Sequence, residues 1–401
     1  MIRTVPFALL VAVLGPALAT PAFFVEAVPL WVAGLPLLLG IWAGTRLARA
    51  AAMFGWLATP AAVSAIGLAG IGFDPVQVWG GAALVVMALA CLPAVFGISL
   101  ASFGMTLVPV FPASPFVPLA DVLPAVGVPA LLIVALCLAC IELLPRHRGK
   151  ALLALVAILA AVNGTGWEPG RTPPSAWAEV PEPLGLTDTG RRLAVLDVLP
   201  DGGAAVLGEA VFRADDMAAL AAWCRAAEAR DLTLFVGVTE TLDGSLPGAT
   251  GWFDGTDRGA VWRLDREGCA PGRAPAVVAR AWLGIPGVTG DWVGMPGRHG
   301  DWMHVPGEDG QWLRGPWEDD SWTAPEFLVC LEGFLPWAWL SLSPGGGDVV
   351  VISNDGAFGA LPVHVLRRKA AGAMASLLKR GIAHAETGRT VLVRGEGGFD
   401  R

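Results

Sequence analysis

Charge is distributed along this chain in a way that leaves few folds open to it. Through residue 145 the only charged side chains are Arg3, Glu26, Arg46, Arg49, Asp74, Asp121 and Glu142. Over all 401 residues, 15% are charged and 54% apolar, against about a quarter charged in an ordinary soluble protein. From about residue 164 onward, charges return at ordinary density with an acidic excess. Two solvents are therefore written into one chain, a lipid bilayer first and water second.

A spanning helix needs roughly 20 apolar residues rising about 1.5 Å each. The apolar runs predict spans over 5–20, 27–45, 50–70, 78–98, 100–118, 125–145 and 151–166. The first run follows "MIR" and ends in "PALA", the outline of a cleavable signal peptide, but the runs behind it favour a retained anchor. Lys and Arg set orientation. Arg3, the "TRLAR" loop with Arg46 and Arg49, and "RHRGK" at 146–150 all belong on the cytoplasmic side. For the last two to share a side, the run 78–118 reads as two spans, giving seven and a C-terminal part outside the cytoplasm. Six is the alternative, with the proline-rich 105–120 re-entrant. The expectation is thus a multi-pass bacterial inner-membrane protein: a transmembrane bundle over 1–166 and a periplasmic domain over 167–401.

Behind a Gly- and Pro-rich linker at 164–185 with one short strand around 175–180, elements alternate. "TGRRLAVLDVLP" has helical period, "GGAAVLGEAVF" is a short strand running into Glu209, and 215–231 is a helix with an aspartate start. "LTLFVGVTE", "GAVWRLD", "APAVVARAW", "EFLVC" and "GDVVVIS" read as strands. "HVLRRKAAGAMASLLKRGIAHAET" reads as one long helix whose basic residues form a solvated face, and "TVLVRG" as a final strand. Strands alternating with helices predict a layered α/β domain, in which chemistry collects at strand ends.

Two strand ends carry reactive groups. Glu209 follows "AAVLG", and Cys330 ends "EFLVC" with Glu332 two residues on. A cysteine entering a turn is presented at an edge, and its thiolate is a strong nucleophile once a base takes the proton. A glutamate made less acidic by an apolar setting can be that base. The other cysteines give no disulfide framework. Cys91, Cys137 and Cys140 lie in predicted spans as apolar fillers, and Cys224 and Cys269 carry no motif, the first packing on a helix face.

The segments "VLGEAVF", "VCLEGFLPW", "VVVISNDGAFG" and "AETGRTVLVRGEGG" together resemble the nitrilase (carbon–nitrogen hydrolase) superfamily, in its membrane-embedded branch of apolipoprotein N-acyltransferase-like and conjugal-transfer TraB-like proteins. The resemblance implies an α-β-β-α sandwich outside the membrane. It implies Glu209 as general base, Cys330 as nucleophile, Glu332 as accessory glutamate, and Asn354 and Phe358 lining the substrate pocket. It also implies a phospholipid or lipoprotein acyl substrate, and a partnership with conjugation machinery. The family's third catalytic group is a lysine, yet the only lysines are Lys150, Lys369 and Lys379. The matching segment "VVARAWLGIPG" offers Arg280, whose charge is spread over a plane and cannot be given up. Loss of one oxyanion stabiliser typically costs ~10²–10³ in rate. The reading is accordingly an N-acyltransferase or amide hydrolase retuned by that loss. Its alternative is a catalytically lapsed scaffold in conjugation or envelope assembly.

Between the Arg280 strand and Cys330, Trp282, Trp292, Trp302, Trp312 and Trp322 fall ten residues apart, and Pro286, Pro296, Pro306 and Pro316 keep the same step. Gly–Asp and Pro–Gly steps make each decapeptide one turn and one arm, so 282–322 reads as a loop grown by duplication. Indoles favour the headgroup layer of a bilayer, and Trp282 and Trp292, nearest the site, would help gate an acyl chain. Plain packing of the indoles against the domain is the alternative. His299 and His304 in the repeat lack the partners of a metal site. No phosphate-cradling loop or nucleic-acid patch is present, and no cofactor is expected.

Overall fold

The computed structural model describes residues 4–70, 74–106, 114–123, 127–164, 175–181, 203–208, 212–213, 217–242, 256–265, 268–271, 277–282, 285–290, 325–329, 333–334, 336–340, 342, 347–353, 361–386 and 389–393. Its first part is helical: α1 (Thr4–Phe24), a 3-10 turn (Leu30–Gly34), α2 (Leu35–Ala43), α3 (Arg46–Gly70), α4 (Pro75–Phe96), α5 (Ile98–Thr106), α6 (Phe116–Asp121), α7 (Gly127–Leu143) and α8 (Arg148–Gly164). Three of these, over Val5–Phe24, Arg46–Gly67 and Pro75–Phe96, are long and apolar enough to cross a membrane. Leu30–Ala43 and Leu131–Leu143 are shorter apolar helices. Large apolar side chains such as Leu9, Val13, Val95 and Leu153 stand exposed on the outside of the bundle. Such a continuous apolar exterior suits lipid and not water.

Small residues let the helices approach. A Cβ placed on Gly15 of α1 would fall 2.4 Å from the backbone of Gly55 in α3, so at that crossing the two backbones touch. In lipid, where apolar burial gives helices no reason to associate, such close packing is what holds them together. Phe23, two turns further along α1, meets Trp56 edge-to-face at 5.7 Å.

The expected helix over 100–118 is not continuous. α5 has 9 residues and α6 has 6, with 107–113 between them. Glu142 explains where α5 begins. Its carboxylate accepts the Ile98 and Ser99 amides at 2.7 and 3.0 Å, two of the donors a helix N-terminus leaves unpaired. Arg49 pairs with the same carboxylate at 3.0 Å and donates to the Glu142 carbonyl at 3.1 Å. Arg148 donates to the Ile141 carbonyl at 2.8 Å, and its guanidinium lies against Gly44. The two basic loops therefore do meet at one end of the bundle. α6 and the 3-10 turn lie at the other end.

The second part holds two sheets and a hairpin. The larger sheet runs β1 (Trp177–Pro181), β12 (Arg389–Val393), β2 (Ala204–Val206), β4 (Thr233–Leu242), β5 (Thr256–Asp265), β6 (Gly268–Pro271), with β3 (Phe212–Arg213) on the end of β4. The smaller is all parallel: β11 (Ile382–Ala385), β10 (Val349–Ile352), β9 (Glu326–Val329). β7 (Val277–Trp282) and β8 (Ile285–Gly290) form the antiparallel hairpin, and β8 packs against α4.

Alternation along the smaller sheet sorts its side chains. Phe327, Val350 and Ile352 share a core with Ala204, Val206, Phe235 and Val391 of the larger sheet, and Phe235 and Phe327 stack at 5.1 Å. Leu328, Val349 and Val351 point the other way, into Val363, Leu366, Ala370 and Met374 of α11 (Val363–Leu377). α9 (Met217–Ala229) lies on β5 and β6 with Trp223 buried. A short α10 (Pro336–Leu340) precedes β10.

Three expectations are corrected here. The long helix read over 364–387 stops at Leu377; Lys379 takes a positive φ of 58°, and 382–385 form the strand β11. Apolar and small residues continue through "GIAHA", so helical period alone did not show the break. The basic residues of that helix are not a solvated face: Arg367 is 1% exposed. Cys224 does not simply pack on α9; it is disulfide-bonded.

Candidate functional site

The C-terminal tips of β2, β9, β10 and β11 come together. β2 ends at Val206, and Leu207 continues by donating to the Phe235 carbonyl at 2.8 Å. A Cβ on Gly208 would sit 3.3 Å from the carbonyl carbon of Glu386, just past β11. β9 ends at Val329. Four residues on, a Cβ on Gly333 would sit 3.0 Å from Val351 of β10 and 3.4 Å from the stem of Arg367. Arg367 and Glu386 are themselves paired at 3.3 Å, both buried. Gly208 and Gly333 thus press on the two halves of one ion pair.

The pair belongs to a larger network. Arg368 bonds Glu386 at 2.7 Å and Glu179 of β1 at 2.8 Å, and Glu179 accepts the His384 amide at 3.0 Å. Burial works against the Arg368 charge, but the Glu386 and Glu179 carboxylates outweigh it and hold the guanidinium above the ordinary arginine value. The Gly333 carbonyl accepts the Trp339 indole N–H at 3.2 Å, pinning the turn after β9 to α10. Ser353, at the tip of β10, is fully buried, its amide donating to the Ala385 carbonyl at 2.9 Å. Its hydroxyl finds no hydrogen-bond partner among the described residues. A buried, unpaired hydroxyl at a strand tip is a polar group held for something else.

At the opposite end of the smaller sheet, Glu326 is tied to Arg380 at 2.5 Å, and Asp348 accepts from the Ser175 hydroxyl at 2.8 Å and the Ala176 amide at 2.6 Å. Among the described residues, that end is tied up in internal pairs.

Of the residues singled out from sequence, Glu209, Cys330, Glu332, Asn354, Phe358 and Trp292 lie outside the described residues. What the structure brings together is their immediate neighbours: Gly208 before Glu209, Val329 before Cys330, Gly333 after Glu332, and Ser353 before Asn354. Arg280 and Trp282 lie on β7, their backbones opposite Gly287 and Ile285 of the hairpin. Sequence reasoning missed Arg367, Arg368, Glu386, Glu179 and Ser353. The available signal was the alanine content of "RRKAAGAMASLL" on every side of the helix, the mark of a helix buried all round.

No family model matches the chain, and no curated protein is similar to it.

Proposed function

We propose that the protein is a membrane-anchored, cysteine-dependent acyl-transfer or amide-cleaving enzyme of nitrilase type, with Cys330 as nucleophile and Glu209 as base. The carrying observation is the convergence just described: the residues flanking Glu209 and those flanking Cys330 meet the same buried Arg367–Glu386 pair at the tips of β2 and β9. Two sheets that share a core, with α11 packed on one and α9 on the other, support this reading.

In this reading Glu209 takes the Cys330 proton, and the sulfur adds to the carbonyl carbon of an acyl donor. The oxyanion so formed is held by backbone amides after Cys330, with Glu332 ordering the turn and Arg280 supplying the positive charge that a lysine supplies in the resembled family. Collapse returns the proton from Glu209 to the departing amine or alcohol and leaves a thioester. Water or an acceptor amine then attacks that thioester, Glu209 taking its proton, and frees Cys330. Asn354 and Phe358 would line the acyl pocket, reached past Trp282 and Trp292. The packing of β8 on α4 favours entry from the bundle side. A disulfide at Cys224 favours an oxidising compartment for this domain.

A non-catalytic scaffold is the second reading, favoured by the lack of any lysine between 209 and 330. One labelling experiment separates the two. The purified protein treated with a thiol-reactive acyl probe should form an adduct that vanishes in Cys330→Ala and persists in Cys137→Ala. An adduct pattern indifferent to Cys330→Ala selects the scaffold.

A further inference from the structure

Far from the strand tips, α2, α5, α6, α7 and α8 enclose a crevice of about 220 Å³. It begins beside Ile98 and Ser99, where Glu142 caps α5 at the basic-loop end, and reaches Trp31 and Phe116 near the opposite end of the bundle. Small residues, Gly34, Ser102 and Ala135, stand on its facing walls. Its walls are apolar but for the hydroxyls of Ser99 and Ser102.

We propose that this crevice holds one acyl chain of a membrane phospholipid from the basic-loop leaflet, with its ester against Ser99. Three observations fix the occupant. The crevice is open on one side among side chains that face the bilayer, such as Trp31 and Leu38, 37% and 45% exposed. In a membrane, hydrocarbon tail is what lies beyond that opening. The Ser99 hydroxyl is buried with no hydrogen-bond partner, although the Ser99 amide is already held by Glu142. An unpaired hydroxyl in hydrocarbon is costly, and an ester carbonyl is the acceptor a lipid brings to that depth. Finally, the Arg148 guanidinium lies at the same end, against Gly44 and beside the Arg49–Glu142 pair, with the sign of charge a phosphate requires. The site contains none of the strand-tip residues, so it stands whether or not Cys330 is a nucleophile.

The test uses the full chain in nanodiscs containing phosphatidylglycerol with a photoactivatable diazirine on one acyl chain. After illumination, adducts should concentrate on peptides carrying Leu37, Ile41 and Leu138, above those on the exposed α4 residues Leu84 and Val95. Ala135→Phe, which fills the crevice, should abolish the inner adducts and leave the α4 adducts intact. Ser99→Ala, which keeps the packing and removes the hydroxyl, should lower the inner adducts by up to about tenfold, the factor carried by one hydrogen bond. Because Ser99→Ala removes one atom, it decides the matter if Ala135→Phe fails to fold. Inner labelling at or below that of α4, or inner labelling indifferent to Ser99→Ala, overturns the proposal.

Discussion

Replacing Glu386 with glutamine would take a counter-charge away from Arg367, 1% exposed, and from Arg368 beside it. Removing one partner of a buried pair typically costs about 3–5 kcal/mol, mostly the penalty on the charge left behind. Glu386→Gln should therefore destabilise the protein far more than the double variant Glu386→Gln, Arg367→Met, in which the cation leaves as well. Chemical denaturation of the two variants measures the difference. The strand-tip neighbours Gly208 and Gly333 rest on this pair, so Cys330 labelling should fall in the single variant and recover in the double. Equal stabilities for the two would show that the pair is not coupled. Gly97 makes a second residue-scale case. It turns the chain between α4 and α5 at φ 85°, and a Cβ there would lie 2.9 Å from the Glu142 carboxylate. Gly97→Ala should cost at least the ~1–3 kcal/mol of a side chain in that nearly glycine-only backbone region and drive Glu142 off the α5 amides. It should lower the thermal midpoint in detergent by more than Gly80→Ala, where a Cβ meets nothing.

At the scale of elements, much was legible before the structure. The strands β1, β4, β5, β7, β9, β10 and β12 fall where the apolar runs place them, because each run is bounded by Gly, Pro or charged residues. The 215–231 helix appears as α9 for the same reason, its amphipathic period being framed by Asp215 and Asp231. Two elements were illegible, and for related causes. The division of "HVLRRK…IAHAET" into α11 and β11 hangs on a single turn at Lys379–Gly381, and alanine is at ease on both sides of it. The cap on the first turn of α5 comes from Glu142, 44 residues away in sequence, and no local pattern reports a cap delivered from another helix. The candidate site shows the same limit. The ion network beside Gly208 and Gly333 is made by α11, β1 and β11 meeting in space, which no single stretch of sequence reports.

On the scale of the whole molecule, the helical part and the sheets share one core. One continuous apolar cluster runs from Val11, Phe23 and Leu57 of the bundle through Phe116 to Val363, Leu366 and Met374 of α11 and on to Leu328 of β9. Lys369, in the middle of α11, donates to the Ala22 and Val28 carbonyls at 2.8 and 2.7 Å and also to that of Val25, closing the exposed end of α1. Burial pushes the Lys369 ammonium below its usual value, against the opposing pull of Asp121 and Glu26. A fragment starting at 167 should then expose the bundle-facing side of α11 and fail to stay monodisperse. Size-exclusion of that fragment beside the intact chain in detergent checks this, and a stable soluble monomer would refute it. Arg367, Arg368 and Lys369 are consecutive, yet the first two serve the strand tips and the third grips the lipid-side helices. A protease that clipped between the helices and the sheets would accordingly not release a self-standing piece, since the freed half would leave behind the floor it stands on.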